Sequence, residues 1–390
     1  MFLLLILKFL ICGLTSETFR TILSVSETFR KTLPAIQRKL TSHPMTATLK
    51  DVARQSGYSV TTVSRALNGH DDVNEETRSR IRAAAEALDY SPNLNARQLQ
   101  TRRAQSLGFI IPAEAQRLKE PFFMEFLSAV ASEAAQHDYS ILLSAHAPDA
   151  QEEDAYRHLA QSGRIGGMIL MRARRHDPRV AMLTGLNIPC ALFGRTGRDD
   201  GCAWIDVDGQ AGVHAAAQHL LALGHSRIGH ILGPDQYHFV GERQAGYASA
   251  LAAARVPLEP DLIITVEHMT ERDGYAATRR LLELGRPPSA LIAVTDLVAM
   301  GAMRAVQDAG LRVGKDVAVV GFDGLSLTAY TSPPLTTVAQ PTEEIGRKLV
   351  AMAVAQIAGD ESFPKNELLI PRLIVRESST GDQSKGQVLL

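Results

Sequence analysis

Residues 48–68, TLKDVARQSGYSVTTVSRALN, hold two short helical patterns joined by a glycine. Thr48 stands where an N-cap belongs, and Asp51, three positions on, completes a short form of the capping box. Leu49, Val52 and Ala53 recur at helical spacing and give the first helix a narrow apolar face. Gly57 supplies the left-handed corner that a tight turn between helices needs. Ser59 then caps a second helix, VTTVSRALN, with Val63 and Leu67 facing inward and Val60, Thr61, Ser64 and Arg65 facing outward. The spacing predicts a helix-turn-helix.

That outward face has the chemistry of major-groove reading. Arg65 can fork onto a guanine edge, Val60 and Thr61 can meet thymine methyls, and Ser64 or Thr61 can reach phosphates. The alternative is a helical hairpin with a solvated polar face, which the joint agreement of cap, glycine turn and exposed arginine disfavours. After an Asn-Gly turn at Asn68 and Gly69, Asn74 caps a third segment, EETRSRIRAAAEALDY, whose Glu75 and Glu76 suit the helix dipole. Ile81, Ala84, Ala85 and Leu88 form the stripe that closes a three-helix unit. Pro92 ends it, and NLNARQLQTRRAQS follows, polar and basic.

The 390 residues allow two or three domains, and a formal net charge of −1 excludes a broad nucleic-acid coat. DNA binding must therefore be local: positions 46–106 carry nine Lys+Arg against seven Asp+Glu, with Arg97, Arg102 and Arg103 bunched together. So modest a charge suits a dimer, which doubles its phosphate contacts. Cys12, Cys190 and Cys202 show neither metal spacing nor a disulfide framework, which fits a reducing cytosol. Residues 1–45 do not belong with the rest. MFLLLILKFLICGL is too short for a membrane span and lacks a basic n-region, and SETFR at 16–20 recurs at 26–30. The preferred reading is translation from Met45, with a membrane anchor or a weak export signal as alternatives.

From Leu107 short apolar runs alternate with amphipathic segments, the signature of parallel sheets covered by helices. Strand candidates are 106–111, 139–145, 166–171, 189–194, 227–233, 262–266, 290–294 and 317–323. Two such series without a dinucleotide fingerprint predict an α/β core of two doubly wound lobes, with ligands at the carboxyl ends of the strands. His214 and His219 are five apart, so they do not share a helix face as a zinc pair would, and His225 reads as a helix C-cap. No metal and no cofactor is expected. GxSxG, SxxK and GxxxxGK motifs are absent, which argues against an enzyme such as a sugar kinase.

The run from Thr48 to about Ser106 resembles the DNA-binding headpiece and hinge of the lac repressor family. The residues that carry the likeness are DVA at 51–53, SG at 56–57, TVSRALN at 62–68, TR at 77–78 and SPN…ARQL at 91–99. HLLALGHSRIGHILGP at 219–234, ERQAGY at 242–247, the 295–323 run and PPLTTVAQP at 333–341 resemble the same family's effector core, which is similar to periplasmic sugar-binding proteins. The resemblance implies base reading at Val60, Thr61 and Arg65, with Ser64 beside them. It also implies a hinge carrying Asn93 that places Ala96 and Leu99 in the minor groove. A leucine wedge among arginines is how minor-groove binders kink DNA; a packed linker residue is the alternative. A hinge of this kind would order on DNA.

For the effector, the resemblance implies that Arg243 clamps ligand oxygens, that Asp323 is an acidic ligand and that Gln340 lies in the cleft. Thr295 stands where many members have Asn, beside Asp296. Arg195 points to the same cleft, and Phe122, Trp204 and Tyr237 or Phe239 supply its walls. Arg243 as an interlobe ion pair and Trp204 as core are the alternatives. An Arg–Asp pair with an aromatic platform suits a polyhydroxylated ligand.

The organisation expected is an extension (1–45), a headpiece (46–91), a hinge (92–106), a core (107–378) and a polar tail (379–390). Within the core the lobes are 107–206 with 341–369 and 207–340 with 370–378. The tail lacks heptads, which favours a homodimer over a tetramer. The function implied is a cytoplasmic, sequence-specific DNA-binding transcriptional regulator, a repressor in the leading reading. Its partners would be a near-palindromic double-stranded operator and a small sugar-like effector, and no membrane. A corepressor would reverse the sign of the response. The competing reading is an exported sugar-binding protein of a transport system, in which the headpiece has no purpose.

Overall fold

The computed structural model describes residues 47–67, 70, 72–90, 104–111, 120–145, 152–197, 201–381 and 387–389. The extension, the turn at Asn68 and Gly69, and the hinge positions Asn93, Ala96 and Leu99 lie outside these residues. The chain divides into two compact units, Met1–Arg102 and Arg103–Leu390.

The first unit is built from α1 (Leu49–Ser56), α2 (Val60–Leu67) and α3 (Glu75–Ala87). The Thr48 backbone N–H donates to Asp51 Oδ2 at 3.0 Å, and Gly57 turns the chain at φ 76° while its N–H closes onto Ala53 O. Ser59 Oγ accepts from Thr62 N–H at 3.1 Å, and Asn74 Oδ1 accepts from Thr77 N–H at 2.8 Å, so both caps satisfy otherwise orphaned amides. Val52, Val63, Ala66, Val73, Ile81, Ala84 and Ala85 are the buried core, with Leu67 and Leu88 packed at its margin. Val63 and Leu67 face inward as expected, and Ala66, at i+3 from Val63, joins them in the core.

The second unit has two sheets. In the first lobe the chain forms β1 (Ser106–Ile111), α4 (Pro121–Gln136), β2 (Ser140–Ala145), α5 (Glu152–Gln161), β3 (Gly167–Met171), α6 (Pro178–Gly185), β4 (Cys190–Phe193) and β5 (Ala203–Val207). It then enters the second lobe through α7 (Gly209–Ala222), β6 (Ile228–Leu232), α8 (His238–Ala253), β7 (Ile263–Thr265), α9 (Glu271–Leu282), β8 (Ala290–Ala293), α10 (Asp296–Asp308), β9 (Ala318–Asp323) and β10 (Thr336–Ala339). It returns to the first lobe for α11 (Thr342–Ala358) and β11 (Asn366–Leu369), then ends in the second with β12 (Arg372–Val375), α12 (Glu377–Thr380) and β13 (Gln387–Leu389).

The first sheet, β11-β5-β4-β3-β1-β2, is parallel throughout. The second, β13-β12-β10-β9-β8-β6-β7, is parallel from β7 to β10, but β12 and β13 run antiparallel. That edge departs from the expectation of parallel lobes, because the chain re-enters from the first lobe by way of Ile370 and Pro371 and so meets β10 head to tail. Residues 387–389, expected as polar tail, pair with β12 as its edge strand. In the second lobe α9 and α10 touch backbone to backbone. A Cβ on Gly301 would lie 1.8 Å from Glu271 O, and one on Gly274 would lie 2.1 Å from Val298 O. Only glycine allows that approach.

Candidate functional site

On α2, Val60, Thr61 and Arg65 are exposed along one face, whereas Ser64 is half-buried. Arg65 is held by Asp72: Nε donates to Oδ1 at 3.2 Å, and Nη2 also pairs with that carboxylate. An ion pair this exposed adds little stability, so Arg65 can exchange Asp72 for another acceptor at small cost.

Between the two lobes lies a cavity at the carboxyl ends of both sheets, where open α/β folds place their ligands. Phe109, Ile110 and Ile111 end β1, Arg172 follows β3, Gly194 and Arg195 follow β4, and Asp206 and Val207 end β5. From the second lobe come Tyr237, Phe239 and Arg243 of the α8 region, Thr295 after β8, Asp323 at the end of β9 and Gln340 after β10. The lobes also meet through backbone bonds: Arg175 N–H donates to Gln236 O at 3.0 Å and His238 N–H to Ala173 O at 3.1 Å. Arg195 spans the same boundary, donating to Glu242 Oε2 on α8 at 2.6 Å and pairing with Asp206 at 3.3 Å.

Arg243 is 5% exposed, and its guanidinium lies over Phe322 at 3.5 Å and Phe239 at 4.7 Å. Its Nη1 donates to Val294 O, while Nε has no partner among the described residues. Burial pulls its pKa down to about 10 even though Asp323, Asp206 and Asp296 oppose the shift. Asp323 sits at φ 130° and accepts from Gln340 Nε2 at 2.8 Å. Burial raises its pKa well above the carboxylate range, against the pull of Arg243. Asp206 is pushed up to about 6, again mainly by burial. The cavity therefore offers an unsatisfied buried donor beside a carboxylate that Gln340 engages through one oxygen, a pairing suited to a polar neutral ligand.

Of the effector residues expected from the sequence, Phe122, Arg195, Tyr237, Phe239, Arg243, Thr295, Asp323 and Gln340 line this cavity. Trp204 and Asp296 do not, which corrects their expected role. Trp204 packs against the first-lobe core cluster that includes Met168, Leu170 and Leu192, with the Arg195 guanidinium 5.9 Å from its ring. Asp296 is wholly buried and accepts from Gly324 N–H, Leu325 N–H (both 2.9 Å) and the Thr337 hydroxyl (2.6 Å), so it ties β9 to β10 beneath the floor. Thr295 also caps α10 through Val298 N–H. Arg243 makes no interlobe ion pair among the described residues; Arg195 does, through Glu242. Sequence reading missed Glu120, Glu152, Arg172, Arg174 and Asp206. Arg172 directly follows a strand that was recognised, so its position at a carboxyl end was the available signal. Asp206 lies on β5, which was not recognised.

Cys190 and Cys202 are bonded to each other with Cα atoms 5.1 Å apart. This corrects the expectation of unpaired cysteines: neighbouring parallel strands bring the two together although their spacing matches no framework. His214 pairs with Ser249 at 2.8 Å, His219 with Ser379 and His225 with Ser289 at 2.9 Å each. The His225 backbone N–H closes α7 onto Leu220 O. Among the described residues no group of three His, Cys, Asp or Glu is placed to hold a metal ion, and no helix is long and apolar enough to cross a membrane.

Two family models match the chain: bacterial regulatory proteins, lacI family, at residues 48–93, and a periplasmic binding protein-like domain at 217–379. The transcriptional regulator AglR of Rhizobium meliloti (strain 1021) is 36% identical over 339 residues, covering 86% of this chain and 95% of the relative. The regulator CelR of Thermobifida fusca is 33% identical, covering 85% and 98% respectively. The repressor CytR of Escherichia coli (strain K12) is 31% identical, covering 85% and 96%. Among solved structures, a CelR–cellobiose complex aligns with a TM-score of 0.66 at 32% identity, covering 85% of this chain and 99% of that one. The lac repressor dimer bound to operator and the anti-inducer ONPF aligns at 0.75 with 27% identity, covering 86% and 99%. These relatives are regulators rather than enzymes, and they lend no support to the transport-protein alternative. A helix-turn-helix unit, a two-lobed core with a cavity at the strand ends, and relatives matched along nearly their whole length agree: the chain belongs to the lacI family of bacterial regulatory proteins and is a DNA-binding transcriptional regulator.

Proposed function

We propose that the protein represses transcription from a near-palindromic operator as a homodimer, and that a small sugar-like effector in the interlobe cavity sets its affinity for DNA. The observation that carries this is the cavity itself, where a buried arginine with an orphaned Nε faces Asp323 among aromatic walls. Arg243 and Asp323 would hold neighbouring hydroxyls, with Arg195, Thr295 and Gln340 around them and Phe122, Tyr237 and Phe239 against the ring faces. On the DNA side, Arg65 reads guanine, Val60 and Thr61 meet methyl groups and Ser64 contacts phosphate. Residues 92–106, with Asn93, Ala96 and Leu99, act as a minor-groove hinge between a headpiece at 46–91 and a core at 107–378. The lobes are taken as 107–206 with 341–369 and 207–340 with 370–378. The lac repressor dimer on its operator and the CelR–cellobiose complex support the dimer and the sugar. Such a protein works in the cytoplasm. Because effector and operator act on one equilibrium, each weakens binding of the other by the same factor. The test is fluorescence anisotropy with duplexes from the protein's own promoter neighbourhood, at several salt concentrations, with and without sugars. If no duplex binds in a salt-sensitive way under any condition, the proposal fails.

A further inference from the structure

The cavity wall is heavily charged, yet nearly all of that charge is already paired. Among the described residues five arginines line it: Arg172, Arg174, Arg179, Arg195 and Arg243. Glu120 holds Arg172 and Glu152 holds Arg174, each through a charge-assisted bond to Nη2. Asp177 engages Arg179 twice, at 2.8 and 2.6 Å, and Arg195 is shared between Asp206 and Glu242. Arg243 has no carboxylate within ion-pair distance among the described residues, but the nearby Asp206, pushed up only to about 6, is ionised at neutral pH and lends it negative potential.

Sites that take a phosphoryl group present guanidinium forks free to meet it. Here a phosphorylated ligand would have to displace Glu120 or Glu152 and strand a partly buried carboxylate, or approach Arg243 past the ionised Asp206. Either route places like charges together in a site screened from water. The remaining surface suits an uncharged ring. Phe122 stacks on Phe193 at 5.9 Å in one lobe and Tyr237 on Phe239 at 5.7 Å in the other, giving apolar platforms on both walls.

We propose that the effector is an uncharged, unphosphorylated sugar, and that Glu120 and Glu152 enforce this choice by occupying Arg172 and Arg174. The inference rests on the reading of the cavity as the effector site. It is tested by calorimetric titration of the full chain, at fixed ionic strength, with matched pairs: glucose and glucose 6-phosphate, sucrose and sucrose 6-phosphate, trehalose and trehalose 6-phosphate, together with maltose, cellobiose and inorganic phosphate. The uncharged member is expected to bind at least about a hundredfold more tightly than its phosphorylated counterpart. In Glu120→Gln, and separately in Glu152→Gln, inorganic phosphate should gain at least about tenfold in affinity while the neutral sugar weakens. A phosphorylated member that binds the wild type as tightly as its neutral counterpart overturns the inference, as does the lack of any phosphate gain in both variants. If no sugar of either kind binds or alters DNA affinity, the effector reading itself falls.

Discussion

Replacing Asp323 with asparagine should stabilise the ligand-free protein while abolishing its response to effector. The carboxylate is buried, and the penalty for charging it there outweighs the pull of Arg243, so its native pKa is raised. Asparagine keeps the shape and can still accept from Gln340. The sign follows from proton linkage. Below about pH 4 the carboxyl is protonated in folded and unfolded chains alike and contributes no difference. As pH rises, the unfolded chain releases its proton first, so wild-type stability falls until native Asp323 also ionises. The asparagine amide does not titrate, and the variant escapes that loss. Each tenfold separation of the two proton affinities is worth about 1.4 kcal/mol, so the variant should lead by about 1–3 kcal/mol at pH 8 and by little at pH 4. Urea unfolding at pH 4, 6 and 8 measures the gap, and anisotropy with operator DNA at pH 7.5 shows whether DNA binding survives without induction. A gap that is constant with pH, or a less stable variant at pH 8, would refute the electrostatic argument. A variant that still releases DNA on adding effector would remove Asp323 from the binding set.

Arg65→Ala should cost about 1–3 kcal/mol of discrimination between operator and base-substituted duplexes while leaving effector affinity near wild type; an unchanged footprint would take Arg65 out of the reading set. Leu99→Ala should weaken operator binding more than binding to random duplex, and equal losses in the two would speak against a wedge at a base step. For Gly301→Ala, the new methyl carbon would lie 1.8 Å from Glu271 O, a backbone atom that cannot rotate away. Overpacking of about 1–3 kcal/mol or more should exceed the helix-propensity gain of about 1 kcal/mol, so the urea midpoint falls. Gly285→Ala, where a Cβ meets nothing within 4 Å, is the control, and equal midpoints for the two variants would contradict the close helix approach.

The headpiece was legible because its signals are local. Caps at Thr48, Ser59 and Asn74, the left-handed Gly57 and the stripe from Ile81 to Ala85 each act within one turn of chain. The β-branched strands β1, β6, β8 and β9 were legible for a similar reason: strands buried on both faces read as unbroken apolar runs. The missed strands are short or carry polar residues. AWIDV in β5 ends in the cavity and so carries Asp206, while NELL and RLIV in β11 and β12 are four-residue strands at or near sheet edges. A strand end that serves a ligand breaks the apolar pattern that would reveal it.

Sequence alone determined the three-helix unit, the alternation of strands and helices and, through the family resemblance, the choice of Arg243 and Asp323 as cleft residues. Those properties depend on neighbours within a few residues or on a pattern that matches a known family. Tertiary structure decided which charges meet. Arg195 pairs with Glu242, Arg172 with Glu120 and Arg174 with Glu152. It also withdrew Asp296 beneath the floor, packed Trp204 into the first-lobe core and joined Cys190 to Cys202. Whether a side chain faces a ligand, a partner charge or the core depends on strand order and on three passages of the chain between the lobes. Those are long-range pairings, and no local spacing encodes them.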